Sequence, residues 1–271
     1  MIDVAPLWDF AKPEASEQRF RAALAGAQGD DVLVLQTQIA RTYGLRKDFA
    51  KAREVLRSIE PDVMNAGPEA QARYWLELGR TYASATHPPE AQTPQALAAA
   101  RDAFGKSLAA ARAGQLDALA IDAIHMFAVV DAAPADQLKW GREALAVALA
   151  SGQPAALRWQ ASVRNNIGYA LHQLGRYDEA LQEFQLALRL REASGNAKAA
   201  RVARWMVAWT LRALERDDEA LEMQLALERD NDAAGEPDEY VFEELELLYR
   251  AKGDDARAKH YAQRLAATRQ K

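Results

Sequence analysis

The sequence predicts an all-α chain of antiparallel helix pairs stacked into a right-handed solenoid. Three observations predict it. Glycine (14) and proline (10) are scarce in 271 residues, well below average usage and far from the composition of a turn-dense β-protein. Apolar residues recur at helical spacing around one small residue per helix. The chain also repeats itself: LGRYDEALQEFQLAL at 174–188 returns as LERDDEALEMQLAL at 214–227, with the DEAL segments offset by 40 residues. EASG at 192–195 returns as DAAG at 232–235. Self-similarity at such a period is the mark of stacked supersecondary units, each burying its neighbour's apolar face.

In chain order, residues 1–32 form an N-terminal segment and a capping helix at about 14–27, and residues 33–271 form six helix pairs in one continuous solenoid. The first helix of a pair carries its small residue at Ala40, Gly79, Ala128, Gly168 and Ala208, and the second helix at Ala52, Ala100, Ala180, Ala220 and Ala258. Two helices approach closely only where a side chain no larger than alanine faces the partner, and large apolar residues one turn away fill the groove beside it. Tyr43, Tyr82, Leu171 and Leu211 lie three residues after the first small position, and Phe104 and Phe184 lie four after the second. The segment SATHPPEAQTP at 84–94 lengthens the second pair, since its prolines forbid helix continuation.

Trp75-x2-Leu78-Gly79-x2-Tyr82 followed by Ala100-x3-Phe104 resembles the tetratricopeptide-repeat (TPR) pattern. Ile167-Gly168-x2-Leu171, Gly175, Tyr177, Ala180-x3-Phe184 and Ala187 make a second copy. The resemblance covers nearly the whole chain and recurs in register. It departs from the family in a period near 40, in the third pair, where Asp131 stands for an aromatic and Trp140 or Gly141 for the small residue, in Gln224 in place of Phe184, and in Glu246 at a small position.

Composition excludes several classes. With no cysteine there are no disulfides, thiolate metal sites or cysteine nucleophiles, which fits a cytoplasmic protein. The opening MIDVAPLWDFAKPE has no basic n-region, so no signal peptide is expected. No apolar run reaches the ~18 residues of a membrane helix, and a net charge of −5 gives no reason to expect nucleic-acid binding. His87, His125, His172 and His260 form no close-spaced ligand pair, and phosphate-loop, dinucleotide and nucleophile-elbow motifs are absent. The reading is therefore a non-enzyme, with no catalytic residue, no metal and no cofactor.

The resemblance implies ligand-facing positions on the first helices, three before, one after and four after the small residue, with one six before. In the middle pairs these hold His125, Asn165, Tyr169, His172, Trp205, Trp209 and Arg212. Aromatic and Arg side chains are enriched at binding hot spots, and paired Asn165 and Asn166 in mid-helix are poor helix formers that point to a hydrogen-bonding role. Trp205 and Trp209, at i and i+4, fit a packed stripe as well as a ligand face, and His125 between Ile124 and Met126 fits a semi-buried histidine. Arg164 and Arg204, 40 residues apart, are either snorkelling side chains or repeated anion contacts. A chaperone-type carboxylate clamp is excluded, because no three successive pairs supply its lysines and asparagines.

Charge is segregated. Residues 158–212 carry nine basic and four acidic side chains, and residues 215–246 carry fourteen acidic and two basic. The function expected is a scaffold that holds a protein or extended peptide in the groove of the first helices. The alternative is a regulatory sensor that encloses a small ligand in the groove of pairs three to five.

Overall fold

The computed structural model describes residues 2–270, and among them there are helices and no strand. After a 3-10 turn at Ala5–Leu7 come α1 (Pro13–Leu24), α2 (Asp30–Leu45), α3 (Phe49–Val63), α4 (Pro68–Tyr82), α5 (Pro94–Ala113), α6 (Asp117–Val130), α7 (Pro134–Ala150) and the single turn α8 (Pro154–Leu157). Then follow α9 (Gln160–Gln173), α10 (Tyr177–Ala193), α11 (Ala197–Ala213), α12 (Asp217–Ala233), α13 (Glu239–Ala251) and α14 (Asp255–Arg269). The paired elements among the described residues are α2–α3, α4–α5, α6–α7, α9–α10, α11–α12 and α13–α14. The chain divides into two compact units, Met1–Trp159 and Gln160–Lys271.

Local chemistry sets the helix ends. Proline opens α1, α4, α5 and α7, where its missing N–H costs no hydrogen bond. Asp48, Thr93, Asn196 and Asp254 cap α3, α5, α11 and α14 by accepting from the backbone N–H three residues on. Between α9 and α10, Gly175 takes a left-handed φ of 72°, so that the Arg176 and Gly175 N–H groups reach back to the Leu171 and His172 carbonyls. The α11–α12 turn closes with the same two bonds, but Glu215 must adopt φ 58° to make them.

In the first unit, Phe20 of α1 is fully buried in a core with Leu35, Ile39, Leu56 and Tyr74, as a capping helix requires. Gly79 lies directly against the Phe104 ring, with no room for a Cβ. The inserted segment interrupts the helices, with α4 ending at Tyr82 and α5 restarting at Pro94. It is held by His87, stacked on Phe49 at 3.8 Å and bonded to Ser84 Oγ at 2.9 Å. The third pair departs from the family pattern because α6 stops at Val130. Asp131 lies just past that end and accepts from Trp140 Nε1 at 2.8 Å and from Arg101. Trp140 itself stacks on Phe127 at 4.7 Å, leaving Gly141 as the buried small residue.

In the second unit, Ala180, Ala208 and Ala220 are completely buried, and α12, α13 and α14 share a core of Leu227, Phe242, Leu245, Tyr249 and Tyr261. The acidic stretch is paired with basic residues of neighbouring helices. Asp230 faces Arg204 at 2.6 Å, Glu236 faces Arg201 at 2.5 Å, Glu228 faces Arg264, and Asp218 faces Lys252. The charge segregation along the sequence thus becomes ion pairing between successive helices.

Candidate functional site

Two first helices, α9 and α11, present the aromatic residues singled out by the sequence, and a third, α13, adds Tyr240. His172 of α9 stacks face to face on Trp209 of α11, with ring centroids 3.4 Å apart and planes 14° from parallel. Tyr169, one turn earlier on α9, stacks on the same indole at 6.1 Å. Trp209 stacks on Trp205 at 5.6 Å, and Trp205 meets Tyr240 of α13 edge-on at 6.0 Å. Five rings from three helices form one ladder. Its ends are open, Tyr169 being 43% and Tyr240 57% exposed.

Two polar atoms inside the ladder, His172 Nε2 and Trp205 Nε1, are buried without a hydrogen-bond partner. Burial, reinforced by the Arg212 charge, pushes the His172 imidazole down to about 4, so the ring is neutral at pH 7. Arg212 lies at the edge of the ladder and makes a bidentate bond to Glu244 of α13, at 2.7 and 2.8 Å. The Glu244 carboxylate is only 4% exposed. Arg212, expected to face a ligand, therefore spends its fork on the next helix.

Trp205 packs against the core of α12–α14, and it also lines a cavity of about 290 Å³ with Val202, Leu227, Tyr240 and Val241. Asn165 faces a second cavity of about 320 Å³, lined with Ser162, Asn166, Arg191 and Val202. Exposed Val202 (56%) borders both. The two remaining arginines of the expected set have carboxylate partners: Arg164 faces Glu183 at 2.7 Å, and Arg204 faces Asp230 at 2.6 Å. In both, the guanidinium meets a carboxylate, which simple snorkelling does not require.

His125 belongs to the first unit, where its ring lies 5.9 Å from Trp159. Burial lowers its pKa against the pull of Asp122. On α2 and α4 of that unit, the corresponding ligand-facing positions hold Arg41 and Arg80, and both point to Glu77, at 3.1 and 2.6 Å. Arg80 also reaches Asp122 at 2.5 Å. Burial acts to raise the Asp122 carboxyl, and the Arg80 and Arg41 charges outweigh it and hold it below the usual range. Trp8 donates to Gln38 of α2 at 3.0 Å, and the Trp8 and Phe10 rings lie beside the Arg41 guanidinium. This face of the first unit is closed by its own charges and by its own N-terminal segment.

Of the cavity residues, Ser162 stands six before Gly168, on a position of the family frame, whereas Arg191 was not expected. Arg191 stands on α10, a second helix, and the family frame samples only first helices. Among the described residues, no group of three or more His, Cys, Asp or Glu side chains is gathered to hold a metal ion. No described helix is long and apolar enough to cross a membrane.

The α9–α12 region is also where a family match falls, since residues 159–229 match the model described as Tetratricopeptide repeat. Within these residues the chain carries tetratricopeptide repeats. Solved structures of similar fold extend the TPR likeness over nearly all of it. One is a signal transduction ATPase with numerous domains, with a tetratricopeptide repeat sensor, from Pyrococcus horikoshii (15% identity, TM-score 0.64). The match covers 94% of this chain but only 39% of that one. Another is the apo form of RapI (15% identity, TM-score 0.67), with 95% of this chain and 71% of that one covered. A third is aspartyl phosphate phosphatase F from Bacillus subtilis (14% identity, TM-score 0.58), covered over 94% and 76%. At these identities the TPR likeness is one of fold. Among curated protein sequences, none matches.

Proposed function

We propose that the chain is a non-enzymatic scaffold and that the face made by α9, α11 and α13 holds an extended peptide or protein segment. The observation that carries this reading is the aromatic ladder. Surface helices ordinarily cover such faces with Lys, Glu and Ala. Here five rings stack across three successive first helices, with exposed tyrosines at both ends. An extended segment suits the face because each first helix contributes side chains at a regular step. Trp205 and Tyr240 supply apolar area.

A protein or peptide partner, rather than nucleic acid, is supported by the net charge of −5 and by the pairing of most arginines with carboxylates. A cytoplasmic setting is supported by the absence of cysteine. The alternative, a sensor enclosing a small ligand, has support in the fold shared with the Pyrococcus horikoshii TPR sensor. It fits less well, since both cavities are edged by exposed Val202 or Tyr240 and lie open to solvent.

The test is selection of binders from a synthetic random heptapeptide library with the whole chain as bait, followed by affinity measurement against a Trp205→Ala/Tyr240→Ala variant. Selected peptides are expected to lose at least about tenfold in affinity, as removal of hot-spot aromatics does. Equal binding to both proteins, with the variant's helicity and melting unchanged, overturns the reading.

A further inference from the structure

We propose that the cavity between α9, α10 and α11 binds a carboxylate of the peptide held by the neighbouring aromatic face. The proposal rests on the scaffold reading and adds the ligand's chemistry. The carrying observation is Arg191. Six arginines of the second unit are half-buried among the described residues, namely Arg164, Arg191, Arg201, Arg204, Arg212 and Arg264. Five of them face a carboxylate. Arg191 alone of the six does not, and its only hydrogen bond within the described residues is from Nη2 to Ser162 Oγ at 2.6 Å. A guanidinium drawn partly out of water and left without a counter-charge is costly unless a ligand supplies one.

The rest of the lining fits the same ion. Ser162, Asn165, Asn166 and Arg191 are its polar residues, and no carboxylate borders the roughly 320 Å³ space. The Asn165 side-chain amide makes no hydrogen bond within the described residues, and Ser162, while accepting from Arg191, keeps its own O–H to donate. One guanidinium fork, one hydroxyl and one amide N–H match the two oxygens of a carboxylate. A single guanidinium balances one negative charge, whereas a phosphate dianion would leave one uncompensated in a half-buried site.

Position ties this cavity to the aromatic face. Val202 forms the wall common to it and to the cavity of Trp205 and Tyr240. A chain crossing the exposed Val202 ridge sets its carboxylate beside Arg191 on one side and an apolar side chain beside Trp205 on the other. The carboxylate is either an Asp or Glu side chain or the peptide's own C-terminus.

The experiment uses the whole chain against heptapeptide libraries made in free-acid and C-terminally amidated forms. Binders are expected to carry a carboxylate close to an apolar residue. Acidic residues enriched in the amidated library assign the side chain, and binding confined to the free-acid library assigns the terminus. Arg191→Gln should weaken the selected peptides about ten- to a hundredfold, the usual worth of hydrogen bonds to a charged group, and should abolish the acidic preference while the apolar one stays. Arg191→Lys should retain the acidic preference. Asn165→Asp, which places a negative charge in the cavity, should weaken binding as Arg191→Gln does, and it serves as the readout if the arginine variant does not fold.

Peptides that bind both variants as tightly as wild type, or that show only an apolar preference, overturn the carboxylate site and leave the scaffold reading standing. Displacement of the peptides by inorganic phosphate but not by acetate overturns it in favour of a dianion. Selection of no peptide at all overturns both.

Discussion

Gly168 of α9 lies so close to the ring of Phe184 on α10 that a Cβ at the glycine would stand 2.7 Å from it. One repeat later the same two positions hold Ala208 and Gln224. Both are fully buried, yet the Gln224 amide has no hydrogen-bond partner at either its nitrogen or its oxygen. The repeat has kept the space and changed the chemistry that fills it.

Replacing that amide should therefore stabilise the fold. Gln224→Met keeps the unbranched shape and removes two unsatisfied polar atoms, so it should raise the unfolding free energy by about 1–3 kcal/mol. Urea unfolding of the two proteins measures this. A lower midpoint for the variant would mean that the amide is satisfied in solution.

The α11–α12 turn offers an independent gain. Glu215 occupies the left-handed region at φ 58°, where a side chain costs about 1–2 kcal/mol, while Gly175 serves the equivalent turn without that cost. Glu215→Gly should stabilise by about 0.5–1 kcal/mol, part of the gain being offset by the greater freedom of glycine in the unfolded chain. A melting temperature that falls would contradict the turn geometry.

Arg212 and Glu244 should behave as one structural unit. Truncating Arg212→Ala leaves a carboxylate only 4% exposed without its partner, which should cost about 3–5 kcal/mol. The double variant Arg212→Met/Glu244→Met should recover most of that loss, because the pair is removed whole. If Arg212→Ala leaves stability unchanged and affects only ligand affinity, the bidentate bond is not what holds this edge of the face.

The stacked histidine makes part of the stability depend on pH. The folded-state pKa of His172 is lowered to about 4, from an ordinary value of 6.5. Between these two values the unfolded chain binds more protons than the folded one. The contribution is present in full above about pH 6.5 and is lost as the pH falls through about 4. Other ion pairs also titrate in acid, so the measurable quantity is a difference: wild type should lose more melting temperature between pH 7.5 and pH 4.5 than His172→Gln does. Identical losses would place the imidazole in water rather than against Trp209.

What the sequence determined by itself is the repeat. The small residues at Gly79, Gly168, Ala180, Ala208 and Ala220 stand buried where the spacing put them, because helix packing needs a small side chain once per contact and the chain states that need at a fixed period. The aromatic residues of the candidate face were legible for the same reason, as register positions of first helices. Their partners were not.

Which charges are spent was decided only by the tertiary structure. Arg164, Arg204 and Arg212 look alike along the chain as possible ligand contacts, and each meets a carboxylate 19 to 32 residues away. Arg191, which no register position marks, is the half-buried arginine of the second unit that meets none among the described residues. Periodicity is a local property that one helix can carry alone. Pairing between helices depends on side-chain reach across a packed interface, and that exists only once the helices have stacked.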